Sequence, residues 1–340
     1  MRKMHYPVSS RTILALAPMQ DVTDLPFMRV MAKYGGPDVY FTEYFRVHRD
    51  SHPEKWILRS IDENPTDRPI VAQMIGQDIP ALVRTAKELQ RHPVAGIDLN
   101  LGCPAPIVCK KEAGGGLLKN PGKIDEILKA LRDAVETKFT VKTRVGFDDA
   151  AEFEGLLEVF SRHPIDLLTV HGRTVREMYR PLVHHDRIAQ AVAAMPCPVV
   201  ANGSVYGPES AQATLEKTGA AGLMIGRGAI RNPWVFNQIR EAQLGQVTTR
   251  PTLRDVRAYL EDLYRETTTE EVPERARVGK MKKYLGYLAP GIGEEDAFWK
   301  AAREATRMEE LWAICGRYLE NDAILPEPPA CEQPVMASAR

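Results

Sequence analysis

The feature that most constrains the fold is a pattern that repeats from residue 12 to about residue 240. A short β-branched or leucine-rich run gives way to a polar or glycine-bearing loop, and a longer segment of helical period follows. The runs are Ile13 to Ala17, Val39 to Glu43, Ile70 to Met74, Gly96 to Leu101, Thr140 to Arg144, Leu167 to His171, Pro198 to Asn202 and Gly222 to Gly226. Strands alternating with helices build a parallel sheet with right-handed crossovers, and eight such units predict an α/β fold closed into a (β/α)8, or TIM, barrel. Polar residues and glycines gather at the C-terminal ends of the runs, so in a closed barrel they meet at one mouth, where such folds bind ligands. After Thr249-Arg250-Pro251 the strand pattern stops, and Leu253, Val256, Tyr259, Leu260 and Leu263 show helical period alone. The expected organisation is a barrel domain over 10–245, an all-helical C-terminal domain over 251–322, and a mobile tail rich in proline and small residues over 323–340.

Composition narrows the class. With 44% hydrophobic and 26% charged residues, the 340-residue chain reads as globular rather than disordered or collagen-like. Neither a spanning apolar run nor a signal-peptide core is present, so a cytoplasmic protein with no membrane partner is expected. Five scattered cysteines without a Cys-x-x-Cys pair indicate reduced thiols, with no disulfide framework and no metal. Net charge is zero, so any nucleic-acid contact must come from a local patch. The clearest patch is Arg275, Arg277, Lys280, Lys282 and Lys283, which taken alone also reads as a solvated helix face paired with nearby glutamates.

Several residues carry candidate chemistry. The strand-like Gly96 to Leu101 runs into Gly102-Cys103-Pro104, which breaks it and leaves Cys103 on a sharp turn at the mouth. A thiol ordinarily titrates near about 8.5, so at neutral pH it is mostly protonated and can donate. Cys103 is therefore compatible with an acid, a nucleophile or a packing residue; no histidine stands beside it in the sequence to make a thiolate. Asn202-Gly203 and Gly226-Arg227 follow the seventh and eighth runs, where such barrels build phosphate sites. Strand alternation puts Lys142 and Arg144 on one side, and two inward cations need an anionic partner, either a ligand or a protein carboxylate such as Glu43 or Asp98. His171 stands at another strand end, and Gln73 offers an amide suited to a heterocycle edge.

Together, Ala17-Pro18-Met19, Thr42-Glu43, Gln73-Met74-Ile75-Gly76, Asp98-Leu99-Asn100-Leu101-Gly102-Cys103-Pro104, Gly114-Gly115-Gly116-Leu117-Leu118, Val141-Lys142-Thr143-Arg144, Val170-His171-Gly172-Arg173-Thr174, Ala201-Asn202-Gly203 and Met224-Ile225-Gly226-Arg227-Gly228 resemble the tRNA-dihydrouridine synthases. The resemblance implies an FMN enzyme that reduces D-loop uridines of tRNA to 5,6-dihydrouridine, passing hydride from flavin N5 to uracil C6 and drawing electrons from NADPH or NADH. It implies that Pro18, Met19, Gln73, Lys142, His171, Asn202, Gly203, Gly226 and Arg227 bind FMN, and that Cys103 is the general acid that protonates C5. Asn100, Arg144 and Arg173 resemble the groups that contact the base or its flanking phosphate, and Arg277, Lys280 and Lys282 become tRNA contacts. A flipped-out base and its flanking phosphates need such cations.

Thr42-Glu43-Tyr44-Phe45-Arg46-Val47 and the stretch Arg277 to Leu288 look most like the bacterial C-type subgroup, associated with the uridine at position 16. A monomer is expected. The competing reading is an FMN-dependent pyrimidine or dihydroorotate dehydrogenase of the same fold, which would leave the extra helical domain unexplained; a noncatalytic RNA-binding barrel is a second, against which the intact Cys103 speaks.

Overall fold

The computed structural model describes residues 12–328. Its strands are β1 (Ile13–Leu16), β2 (Val39–Phe41), β3 (Phe45–Arg46), β4 (Ile70–Ile75), β5 (Gly96–Leu101), β6 (Lys138–Arg144), β7 (Leu167–His171), β8 (Val199–Asn202) and β9 (Gly222–Ile225). All are parallel. β1 pairs with both β2 and β9, and β2 pairs with β4, so the sheet closes on itself. β3 continues β2 farther along β4: Tyr40 lies opposite Ile70, whereas Phe45 lies opposite Met74. The closed eight-stranded barrel expected from the eight runs is the observed fold, its second strand interrupted at Thr42 to Tyr44. The interruption is anchored by Thr42, whose Oγ1 accepts the Gln73 backbone N–H at 3.1 Å.

Alternation along each strand sorts the side chains. On β5, Ile97, Leu99 and Leu101 are fully buried in the main core with the surrounding helices, while Asp98 and Asn100 point into the barrel. A separate apolar cluster that includes Ile13, Val39, Val71, Leu167, Val200 and Met224 fills the lower interior. Polar side chains take the later positions of the strands: Gln73, Asp98, Asn100, Lys142, His171 and Asn202. The interior is thus oil below and hydrogen-bonding above, and the site sits at the C-terminal rim.

Helices Leu253–Thr267, Glu274–Leu288, Ala297–Glu304 and Met308–Leu319 follow the barrel. Leu253, Val256, Tyr259, Leu260 and Leu263, the residues with helical period, are all buried. They dock on the helix Leu25–Lys33 that follows β1: Tyr259 meets Tyr34 edge to face at 5.3 Å, and Phe27 stacks on Tyr284 at 6.1 Å. Polar ties fix the angle of the dock, with the Tyr259 hydroxyl donating to Ile230 O at 3.0 Å and Arg231 to Leu288 O at 2.9 Å. The basic helix Glu274–Leu288 is thereby held beside the loop after β1. The segment expected to begin a mobile tail at 323 makes backbone bonds as far as Pro326. Ile324 bridges Thr252, Leu325 N donates to Pro251 O at 2.9 Å, and Pro326 O accepts from Arg231 at 2.9 Å. These bonds cap strand-like backbone that proline-rich composition had suggested was free; the rest of the expected tail lies outside the described residues. No helix among the described residues is long and apolar enough to cross a membrane.

Candidate active site

Cys103 sits where β5 ends. The Asn100 side chain makes the turn: its Oδ1 accepts both the Gly102 and Cys103 backbone N–H groups, each at 2.9 Å. A 3-10 segment, Gly114–Lys119, then closes against the thiol turn, with Gly115 N donating to Cys103 O at 3.0 Å. That approach requires glycine, because a Cβ on Gly115 would lie 2.8 Å from Cys103 O. The Cys103 thiol faces the Tyr44 hydroxyl at 4.0 Å, and that hydroxyl also bonds Gln20. Cys109 donates its thiol to Cys103 O at 3.5 Å and so belongs to the same turn.

Below the thiol turn lies a buried polar row. Gln73, Asp98 and Thr140 are register neighbours on β4, β5 and β6. Asp98 accepts from Gln73 Nε2 at 2.7 Å and from Thr140 Oγ1 at 2.5 Å, and Gln73 Oε1 accepts from Asn100 Nδ2 at 2.7 Å. Burial raises the Asp98 carboxyl to about 6, opposed by the bonds from Thr140 and Gln73 and then by the Lys142 charge. Gln73, expected to offer its amide to a heterocycle, is fully buried with its oxygen and one N–H taken within the protein; what it can offer a ligand is the second Nε2 hydrogen.

Cations line the other side of the mouth. Lys142 donates to Asn202 Oδ1 at 3.2 Å, and Asn202 Nδ2 donates to Met224 O at 2.7 Å, joining β6, β8 and β9. Among the described residues no carboxylate is hydrogen-bonded to Lys142. The residue as a whole is partly exposed but its ammonium lies deep, and burial, followed by the Arg144 charge, pushes it down to about 8. His171 is buried and held well below its ordinary value, first by burial and then by Arg144, Lys142, Arg173 and Arg227. It is therefore a neutral imidazole, and since Arg173 Nη1 at 3.0 Å can only donate, His171 Nε2 accepts and the ring proton sits on Nδ1. Tyr179 lies beneath both Arg144 and Arg227, at 5.6 and 5.1 Å.

Two of the expected substrate contacts turn inward. Arg173 is 1% exposed, donating to Ser204 Oγ at 2.7 Å and Pro181 O at 3.3 Å, and so ties the loop after β7 to the loop after β8. Arg144 is 2% exposed and gives 2.8 Å bonds to Gly102 O, Thr174 O and Met178 O, so it ties the thiol turn to the loop after β7. Both are pulled down to about 10, principally by burial, and stay cationic at neutral pH. Gly203, at φ +134°, lets the chain turn over His171 and Arg173, and a Cβ on Gly226 would press on Met19 Sδ at 3.3 Å, so Met19 and Gly226 adjoin. Pro18 is half-buried beside them, and Met19 is fixed by Thr23, whose Oγ1 accepts its N–H at 2.9 Å.

The basic helix does not present one free face. Arg277 donates to the Tyr264 hydroxyl at 2.8 Å, Lys282 to Arg303 O at 2.6 Å, and Lys280 pairs with Asp24 at 3.1 Å. Lys280 and Lys283, paired with Asp21, brace the loop after β1 and put the helix at the rim of the mouth. Sequence reasoning had assigned no role to Tyr44, Tyr179 or Gly114 to Gly116, and had named Asp98 only as a partner for Lys142. Alternation did place Asp98 inward; the contacts of the two tyrosines come from loops whose packing no periodicity encodes.

A parallel barrel whose mouth gathers a thiol turn, glycine-lined loops and a set of cations defines a barrel protein suited to hold a phosphate-bearing ligand beside a thiol. A family model described as Dihydrouridine synthase (Dus) matches residues 15–322. Curated relatives named tRNA-dihydrouridine synthase B match over most of the chain. That of Vibrio vulnificus strain CMCP6 is 37% identical over 323 residues, covering 92% of this chain and 94% of its own. That of Xanthomonas axonopodis pv. citri strain 306 is 32% identical over 324 residues, covering 92% and 95%. That of Pseudomonas putida strain KT2440 is 37% identical over 253 residues, 74% of each chain. The chain belongs to the dihydrouridine synthase family. The B designation of these relatives overturns the expected C-type subgroup: short stretches such as Thr42 to Val47 had carried that likeness, whereas the matches to B-type relatives extend along most of the chain. Among solved structures, histamine dehydrogenase from Rhizobium sp. 4-9 superposes with a TM-score of 0.53 at 15% identity, over 74% of this chain and 48% of that one. A 2-naphthoyl-CoA reductase complex gives 0.51 at 12% identity, over 68% and 50%. At these identities the likeness is one of fold alone.

Proposed function

We propose that this protein reduces uridine in the D-loop of tRNA to 5,6-dihydrouridine, with FMN as bound cofactor and NADPH as electron source, and that its specificity is of the B type. The observation that carries the reading is the family match along residues 15–322 in a chain whose mouth sets Cys103 on a fixed turn beside a cation cluster. The residues fit a flavin phosphate. Beyond burial, the charges of Arg144, Lys142, Arg173 and Arg227 all act on His171, so they gather at one place, and Gly203 and Gly226 keep the adjoining backbone bare. Lys142, His171, Asn202, Gly203, Gly226 and Arg227 would hold the cofactor, with Pro18, Met19 and the remaining Gln73 N–H along its ring. When bound, the flavin supplies the hydride that uracil C6 accepts.

The chain's own residues do the rest. Negative charge developing at C5 and the C4 carbonyl must be quenched by a proton, and the Cys103 thiol gives it: the S–H bond breaks as the C5–H bond forms. Asn100 holds that thiol in place, and the charged Lys142 favours negative charge at the reacting centre. Arg277, Lys280 and Lys282, on the helix whose Lys280 braces the loop after β1, are the candidates to receive phosphates flanking an extruded base, exchanging their present partners for RNA. The test uses FMN-loaded protein, NADPH and tRNA made without modifications. The expected result is dihydrouridine formed in step with NADPH consumed; reduction of free uracil or orotate with tRNA left untouched would establish the small-molecule reading instead.

A further inference from the structure

We propose that Asp98 is a positioning residue for Cys103, acting through Gln73 and Asn100 to fix the turn that carries the thiol. The proposal rests on the role of Cys103 given above but stands on hydrogen-bond polarity within the barrel. A carboxylate can only accept, so Gln73 must turn its Nε2 toward Asp98 Oδ2, which leaves Gln73 Oε1 as the acceptor for Asn100 Nδ2. Asn100 then has its Oδ1 facing the other way, where the Gly102 and Cys103 backbone N–H groups can only donate. Each end of the row dictates the same orientation of both amides. Thr140 holds the second Asp98 oxygen, so the carboxylate cannot swing away. Asp98, Gln73 and Asn100 are all buried, so no solvent competes for these bonds, and reversing either amide would set two donors or two acceptors face to face.

The test separates the carboxylate's hydrogen bonds from its charge. Asp98→Ala removes the acceptor. Asp98→Asn keeps an acceptor for Gln73, with the Thr140 hydroxyl turned to accept, and removes the charge. The first readout is the rate at which iodoacetamide alkylates Cys103 in flavin-free protein, followed by mass spectrometry of its peptide. Asp98→Ala should raise that rate about threefold or more as the turn loosens, while Asp98→Asn stays within about twofold of wild type. In FMN-loaded enzyme, Asp98→Ala should lower kcat for uridine reduction about tenfold with the KM for tRNA unchanged, and asparagine should restore it to within about threefold. If Asp98→Ala fails to fold, Gln73→Met interrupts the same row and should raise alkylation alike.

Wild-type alkylation in a folded Asp98→Ala or Gln73→Met protein would overturn the proposal, as would an asparagine variant as altered as the alanine one. Because alkylation needs neither flavin nor tRNA, a wild-type protein that forms no dihydrouridine but shows the expected alkylation pattern would sink the proposed function and leave the positioning role standing.

Discussion

Replacing Lys142 with methionine should move two properties in opposite directions. In the flavin-free protein the Lys142 ammonium is held in the mouth against lost hydration and against Arg144, which pushes it down to about 8. Bringing a lysine from its ordinary value near about 10.4 to about 8 costs the fold about 3 kcal/mol at neutral pH. The sign is fixed by linkage: a depressed lysine favours the neutral form in the folded state, so at pH 7 the charged group destabilises it, and methionine removes that cost. Solvent at the mouth reduces the recoverable part to about 1–2 kcal/mol. The lost bond to Asn202 Oδ1 takes back about 1 kcal/mol. Flavin-free Lys142→Met should therefore be as stable as wild type or up to about 1 kcal/mol more stable in urea titrations. Flavin affinity should fall, since a hydrogen bond from a charged donor contributes about 1.5–3 kcal/mol, or about 10- to 100-fold in Kd by calorimetry. A variant that loses stability yet binds FMN like wild type would make Lys142 a structural residue and refute the reasoning.

Three further outcomes follow from the same geometry. Binding an anionic flavin favours the Lys142 ammonium, so FMN affinity should decline as pH rises through about 8, with proton uptake on binding above that pH; the decline should be absent in Lys142→Met, and its persistence there would assign the titration to another group. Arg144→Lys should lower unfolding free energy by about 2–4 kcal/mol, measured in denaturant, because an ammonium cannot reach the three carbonyls that the guanidinium fork serves. Charge reversal at Lys280 and Lys282 should weaken tRNA binding in filter or fluorescence titrations, with a shallower salt slope and no loss of flavin; unchanged affinity would remove this helix from the RNA surface.

The barrel was legible because a parallel α/β fold writes itself as short apolar runs with helices between them, and each expected run contains or overlaps an observed strand. The interruption at Thr42 to Tyr44 was not, because Val39 to Glu43 has the composition of an unbroken strand; only the register of Phe45 against Met74 shows the break. Cys103 was visible from Gly102 and Pro104 around it. Its surroundings were less so. Asp98 reads as one polar position in an apolar run, and its meaning depends on Gln73 and Thr140, brought alongside by strand register. Arg173 and Arg144 read as cations facing a ligand because sequence shows charge but not the backbone carbonyls that receive it. Lys280 looked free for RNA because Asp24, its partner, lies far away in the chain. The residues from 323 looked mobile by composition, yet their backbone finds Thr252 and Arg231.

The measurement that bears most directly on the central claim is a map of dihydrouridine across the tRNA of cells lacking this gene, alone and carrying either the wild-type gene or Cys103→Ala. Loss of dihydrouridine at a defined D-loop uridine is expected, restored by wild type and reduced by about a hundredfold or more in rate by the alanine variant. Cys103→Ala protein should still bind flavin and accept electrons from NADPH. An unchanged map in the deletion strain, or full restoration by Cys103→Ala, would contradict the account.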